Sequence, residues 1–200
     1  MFYKFVWHLL KIYFFIFHRL IIHGREHIPP SGGAVVCSNH SSMMDPTILA
    51  MATRRQIHYV AKKELYKNKI VTAVINGLGA FPVDRDNADT AAYKRTLDFL
   101  NNGEVVGIFA QGSRFKELDI KDAKAGVALF ALKTGAAVVP AGIVTTYKLF
   151  SKITLRYGPP VDLSAYRNKK IKTALLNEAT ETIMNAVKNC LEAPIPAKDL

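Results

Sequence analysis

Short runs of apolar, mostly β-branched residues recur along this chain, at Ala34–Ser38, Ile57–Ala61, Ala80–Val83, Val105–Ala110, Ala137–Val144 and Ile153–Tyr157. Strands this uniformly apolar leave no polar side for water, so the sheet they form must be covered on both faces. Helix-patterned stretches lie between them, at Pro46–Thr53, Ile70–Leu78, Asp89–Asn101 and Ala123–Thr134, with a last helix from about Lys170 to Leu191. The alternation predicts an α/β fold, a largely parallel or mixed sheet covered by helices on both faces. At 200 residues the chain is long enough for one such domain with its own core. That domain is expected over residues 23–192, opening with the turn-rich stretch HGREHIPPSGG and followed by a loose tail over 193–200.

Residues 1–22, MFYKFVWHLLKIYFFIFHRLII, require a separate reading. Cations interrupt the segment throughout, and the longest unbroken apolar stretch, Ile12–Phe17, falls far short of the ~20 residues a spanning helix needs. The recurring cations and the lack of a small-residue cleavage site also argue against a secretion signal. At about 100° per residue, Lys4, His8, Lys11 and His18 cluster on one narrow stripe of a helix, with Phe15 among them. The rest of the surface is aromatic and aliphatic. This pattern predicts an amphipathic helix lying in a membrane interface. Packing against the protein's own core is the competing use for such a helix.

Charge sharpens the expectation of an acidic partner. Lys and Arg number 27 against 16 Asp and Glu, a formal net charge of +11. Anionic lipid, a phosphorylated small molecule and nucleic acid are all compatible with that charge, and only charge suggests nucleic acid. The two cysteines, Cys37 and Cys190, form neither a disulfide framework nor a metal-ligand spacing, so no metal or cofactor is expected and a cytosolic setting is.

In sheets of this type ligands gather beyond the carboxyl ends of the strands. The polar clusters there are Asn39–Asp45, Pro82–Arg85, Gln111–Arg114 and Pro140–Gly142. His40 and Asp45 stand five apart, with Asp45 read as a helix N-cap and Pro46 as the first helical residue. On a straight helix the two side chains would diverge by about 140°. A turn over Ser41–Met44 would instead bring the carboxylate to the imidazole, fixing its tautomer and steadying the cation formed when His40 accepts a proton. In isolation such a spacing is more often a cap beside an unrelated loop histidine.

The ordered set of clusters changes that balance. Asn39-His40-x4-Asp45, Phe81-Pro82-Val83-Asp84-Arg85, Phe109-Ala110-Gln111-Gly112-Ser113-Arg114 and Val138-Val139-Pro140 resemble the four-block pattern of the glycerolipid acyltransferase family, nearest to its bacterial branch acting on 1-acylglycerol 3-phosphate. Gly24-x-Glu26-x-Ile28-Pro29 and Tyr59–Leu65 are similar to the same family, and the likeness runs from Gly24 to about Val161.

The resemblance implies His40 as general base, Asp45 as its orienting partner, and Arg85 and Arg114 as ligands of the acceptor's phosphate, through bidentate guanidinium contacts. Backbone N–H groups of the Gly112–Ser113 loop are candidate donors to the tetrahedral oxyanion. It further implies an acyl-CoA or acyl-carrier-protein donor, a lysophosphatidic acid-like acceptor, a phosphatidic acid product and a place on the cytoplasmic face of the cell membrane. One position departs from the pattern: Gln111 stands where the family has Glu, keeping a carbonyl acceptor and losing the charge. Another lysophospholipid or glycerol phosphate as acceptor and a silent lipid-binding module are the alternatives. A hydrolase using Ser113 or Cys37 lacks the G-x-S-x-G elbow and an exposed thiol.

Overall fold

The computed structural model describes residues 2–77, 79–84, 89–112 and 118–194. Helix α1 (Phe2–Phe17) runs into strand β1 (Arg19–His23), and β2 (Ala34–Ser38), α2 (Asp45–Ala52), β3 (Ile57–Lys62) and α3 (Lys69–Gly77) follow. Then come β4 (Ala80–Val83), α4 (Thr90–Asn101), β5 (Val105–Phe109), α5 (Gly126–Thr134), β6 (Ala137–Thr145), β7 (Lys152–Tyr157) and α6 (Thr173–Glu192). The tail beyond residue 194 and Leu78, the expected last residue of the third helix, lie outside the described residues.

The strands form one seven-stranded sheet in the order β1-β7-β6-β2-β5-β3-β4. Strands β2 to β6 run parallel to one another; β7 turns back antiparallel to β6, and β1 pairs parallel with β7 at the edge. The sheet is therefore mixed. Strand β2, at its centre, shows why the apolar runs do not alternate. Val36 enters a core with Ile48, Leu49, Ile57 and Val139, beneath α1, α2 and α3. Its neighbours Val35 and Cys37 enter the opposite core with Val106, Val127 and Met184, beneath α5 and α6. Each large side chain so buried contributes about 1.5–3 kcal/mol.

The N-terminal segment differs from the sequence expectation in two ways. The helix ends at Phe17 rather than near residue 22, and Arg19–His23 is the edge strand β1. Leu20, Ile21 and Ile22 prolong the apolar run of the helix but are suited to a strand, and the partner that claims them, β7, is remote in sequence. Of the cationic stripe, His8 and Lys11 are exposed one turn apart on the helix, and the other members differ. His18 lies beyond the helix and is buried, its ring nitrogens without a hydrogen-bond partner among the described residues. Lys11 sits 5.1 Å over the Trp7 ring, and the side chain of Lys4 lies outside the described residues.

Helix α1 has two faces. Phe14 is only 2% exposed and belongs to the core, and the Trp7 indole donates a hydrogen bond to the Ala50 carbonyl (3.3 Å). Phe5, Leu9, Ile12 and Ile16, at helical spacing, are all exposed.

Candidate active site

The centre of the sheet positions the site. Strand β2 ends at Ser38, and its neighbours β5 and β6 are in register with it there, Phe109 on one side and Ala141 on the other. Asn39 continues the pairing with its side chain. Its amide NH2 donates to the Ile143 carbonyl (3.0 Å) and its amide oxygen accepts from the Ile143 N–H (2.8 Å). Asn39 thus stands in for one more peptide of the β2–β6 ladder and fixes where His40 leaves the sheet.

The expected turn over Ser41–Met44 forms, closed by a hydrogen bond from the Asp45 N–H to the Ser42 carbonyl (3.2 Å). Asp45 is the first residue of α2 and Met44 the N-cap, a shift of one position from the sequence reading. The carboxylate still points back over the turn. Asp45 Oδ2 accepts from His40 Nδ1 (2.8 Å) and from the backbone N–H groups of Ser41 (2.7 Å) and Ser42 (2.8 Å). With Nδ1–H donating to the carboxylate, Nε2 of a neutral imidazole is left as the basic nitrogen.

Both partners are held firmly. Asp45 is fully buried, and the His40 side chain is 15% exposed. The imidazole stacks on Phe109 at a centroid distance of 4.1 Å and 21°, and Phe109 lies over Tyr59 at 6.3 Å and 14°. Gly107 makes room for this column: a Cβ there would come within 2.3 Å of the Tyr59 ring.

Tyr147, after β6, completes the arrangement. Its hydroxyl donates to Asp45 Oδ1 and lies 2.8 Å from Ser41 Oγ. Burial first, then the bond to the Asp45 carboxylate, push the phenol upward, so it stays a protonated donor. Sequence reasoning missed this residue, which lies 102 positions from Asp45 and belongs to no short motif. A lone tyrosine in the polar turn after a predicted strand was the only trace of it.

The remaining expected residues fall into two groups. Gln111 is buried with partners of its own, and Gly112 adopts φ 70°, a left-handed conformation. The Gly112 N–H donates to the Phe109 carbonyl (2.9 Å), closing a turn. That N–H, one of the candidate oxyanion donors, is thus engaged within the turn. Lys124, whose N–H donates to the Ala110 carbonyl (2.8 Å), borders a cavity of about 210 Å³ with Val60, Val83, Gly112 and Phe130. Arg85, Ser113 and Arg114 lie outside the described residues. At the mouth of the Arg85 segment, the Asp84 N–H donates to Asp89 Oδ2 (2.9 Å), while Ala92 N–H donates to Oδ1 (2.8 Å).

Cys37 is no nucleophile. It is buried in the core, and burial pushes its thiol up to about 12.

A buried carboxylate orienting an imidazole beyond the central strand of a mixed α/β sheet is an arrangement suited to a general base, and the comparisons show the family it belongs to. The sequence model of the family described as Acyltransferase matches residues 19–144, and the chain belongs to that family. It is 32% identical over 198 residues to 1-acyl-sn-glycerol-3-phosphate acyltransferase of Bacillus subtilis (strain 168), covering 95% of this chain and 98% of that protein. The protein of the same name from Streptococcus pneumoniae (strain ATCC BAA-255 / R6) is 29% identical over 174 residues, 83% of this chain and 62% of that protein. Among solved structures, the 1-acyl-sn-glycerophosphate (LPA) acyltransferase PlsC from Thermotoga maritima superposes with a TM-score of 0.72 at 25% identity, covering 97% of this chain and 81% of that one.

Proposed function

We propose that this acyltransferase moves a fatty acyl chain from a thioester, on coenzyme A or acyl-carrier protein, to the free hydroxyl of 1-acylglycerol 3-phosphate at a membrane surface, yielding phosphatidic acid. The His40–Asp45 pair carries the reading, together with what its relatives are named for. Nε2 of His40 takes the hydroxyl proton as the acceptor oxygen attacks the thioester carbonyl carbon. The tetrahedral oxyanion then collapses, the C–S bond breaks, and the imidazolium returns its proton to the departing sulfur. The Asp45 carboxylate stabilises the cation between these events. No covalent acyl-enzyme is needed.

Arg85 and Arg114 are proposed as the phosphate ligands. They stand in the second and third polar clusters, which follow β4 and β5 in the chain. Presenting lysophosphatidic acid, lysophosphatidylcholine and glycerol 3-phosphate together, with one acyl-CoA, tests the acceptor. Lysophosphatidic acid should dominate the products; equal use of lysophosphatidylcholine would mean that a free phosphate is not what the site reads.

Gln111 bears on the same question. The unsubstituted enzyme is expected to be active, because the amide retains the hydrogen-bonding capacity of Glu. Gln111→Glu should alter rate or acceptor preference and lower stability by about 1–3 kcal/mol, since the position is buried. Initial rates and a denaturant titration check both. A wild-type protein inert toward every acceptor and revived by Gln111→Glu would show the charge to be indispensable.

The membrane contact is proposed to be peripheral, on the cytoplasmic face, through the outer side of α1. No described helix is long and apolar enough to cross a membrane. Deleting residues 2–20 would strip Trp7 and Phe14 from the core and shorten β1, so surface substitution is the cleaner test. Leu9→Glu with Ile12→Glu should weaken vesicle co-sedimentation about tenfold or more without unfolding the domain, since both side chains are exposed and each gains its insertion energy only from lipid. Unchanged pelleting would assign the anchor elsewhere.

A further inference from the structure

The turn from β6 to β7 joins the catalytic pair to the outer surface. Tyr147 has φ 57° and Phe150 φ 62°, left-handed conformations that bulky residues adopt rarely and keep only where neighbouring contacts hold them. Tyr147 is held from within, by Asp45 and Ser41 at its hydroxyl and by the Thr145 hydroxyl, which accepts from its N–H (3.2 Å). Phe150 is held by α1: its N–H donates to the Phe17 carbonyl (2.8 Å), and the two rings lie 6.1 Å apart. The result is a short turn that points one aromatic at the catalytic carboxylate and two apolar side chains outward, Leu149 at 59% and Phe150 at 70% exposure.

Nothing in the fold covers that tip among the described residues, and its surroundings select a partner. Lys148 is exposed beside it, and Arg19 is exposed where its N–H donates to the Ser151 carbonyl (3.3 Å). Apolar side chains flanked by two cations, on a chain of net charge +11, complement an anionic bilayer. Through Phe17 the tip is continuous with the end of α1 that exposes Tyr13 and Ile16.

We infer that the Thr146–Ser151 turn is a second membrane-inserting element, seated in an anionic phospholipid bilayer, and that it ties the catalytic pair to that surface through the Tyr147 hydroxyl already on Asp45. Tyr147 is a positioning residue, acting on His40 through the carboxylate. The inference rests on the membrane-surface reading of α1.

Insertion is read with Phe150→Trp on vesicles of phosphatidylglycerol and phosphatidylcholine in roughly equal parts, carrying brominated acyl chains. Its emission should be quenched beyond that of Trp7 in the unsubstituted protein. Coupling is read from two rates: one on lysophosphatidic acid in the same vesicles, the other on a short-chain, water-soluble analogue without them. Leu149→Glu with Phe150→Glu should lower the vesicle rate about tenfold and leave the soluble rate unchanged. Tyr147→Phe should keep vesicle binding and lower both rates by a similar factor, since its hydroxyl sits on Asp45 without lipid as well; loss of vesicle binding in that variant would overturn the division between inserting tip and positioning hydroxyl. If the unsubstituted protein does not pellet with vesicles, the membrane reading falls and this inference with it. If it pellets while residue 150 stays unquenched, or the double variant keeps its full vesicle rate, this inference alone falls.

Discussion

His40→Ala is expected to lower acyl transfer about 100-fold or more, the range for losing a positioned general base. The protein should remain folded, because the imidazole leans on Phe109 without filling a core. Asp45 needs a more careful substitution. Its Oδ2 accepts from two backbone N–H groups as well as from His40, so Asp45→Ala would leave buried donors unsatisfied, at about 1–3 kcal/mol each. Asp45→Asn can keep its carbonyl oxygen at the Oδ2 position and turn its NH2 toward the Tyr147 hydroxyl, which is able to accept. The turn then survives while the charge that steadies the imidazolium is gone. A loss of about 10-fold to 100-fold with normal thermal stability is therefore expected of Asp45→Asn. Near-normal turnover of a folded His40→Ala protein would remove His40 from the mechanism.

The second large effect concerns the acceptor. Arg114→Ala and Arg85→Ala should each reduce acceptor kcat/KM by about 10-fold to 100-fold, corresponding to the loss of roughly 1.5–3 kcal/mol for a charge-assisted hydrogen bond to a desolvated phosphate. The KM for the acyl donor should change little. Lysine at either position should recover only part of the loss, since it supplies charge without the planar fork. Steady-state kinetics with each substrate varied separately distinguishes these outcomes. An acceptor kcat/KM unaffected by both substitutions would place the phosphate on other groups, with Lys124, already beside Gly112, the first to test.

What could be read from the sequence was mostly local or buried on both sides. Strand β2 begins and ends where its apolar run does, because a strand with both faces covered carries no alternation to blur its limits; β4, at the sheet edge, matches its run as well. His40 and Asp45 were legible because a single turn joins them. The contacts that make them a unit were not, since Phe109 and Tyr147 come from the strands on either side of β2 and only the sheet order brings them there. Asn39 shows the same limit, as its role as an extra rung of the ladder depends on β6. Strand β1 was read as helix because an edge strand is defined by its partner, and β7 enters late in the chain. Gly112 was named a candidate donor from its place in the third cluster, and only the structure shows that its N–H closes a turn on Phe109.

The central claim is base-catalysed acyl transfer to a lysolipid hydroxyl. Its most direct test supplies the intact protein with deuterium-labelled acyl-CoA and lysophosphatidic acid in vesicles, and identifies the lipids by mass spectrometry. The account predicts phosphatidic acid carrying one labelled chain, free coenzyme A in equal amount, and the loss of both in the His40→Ala protein. Labelled free fatty acid without phosphatidic acid, or phosphatidic acid formed equally well by the His40→Ala protein, would contradict it.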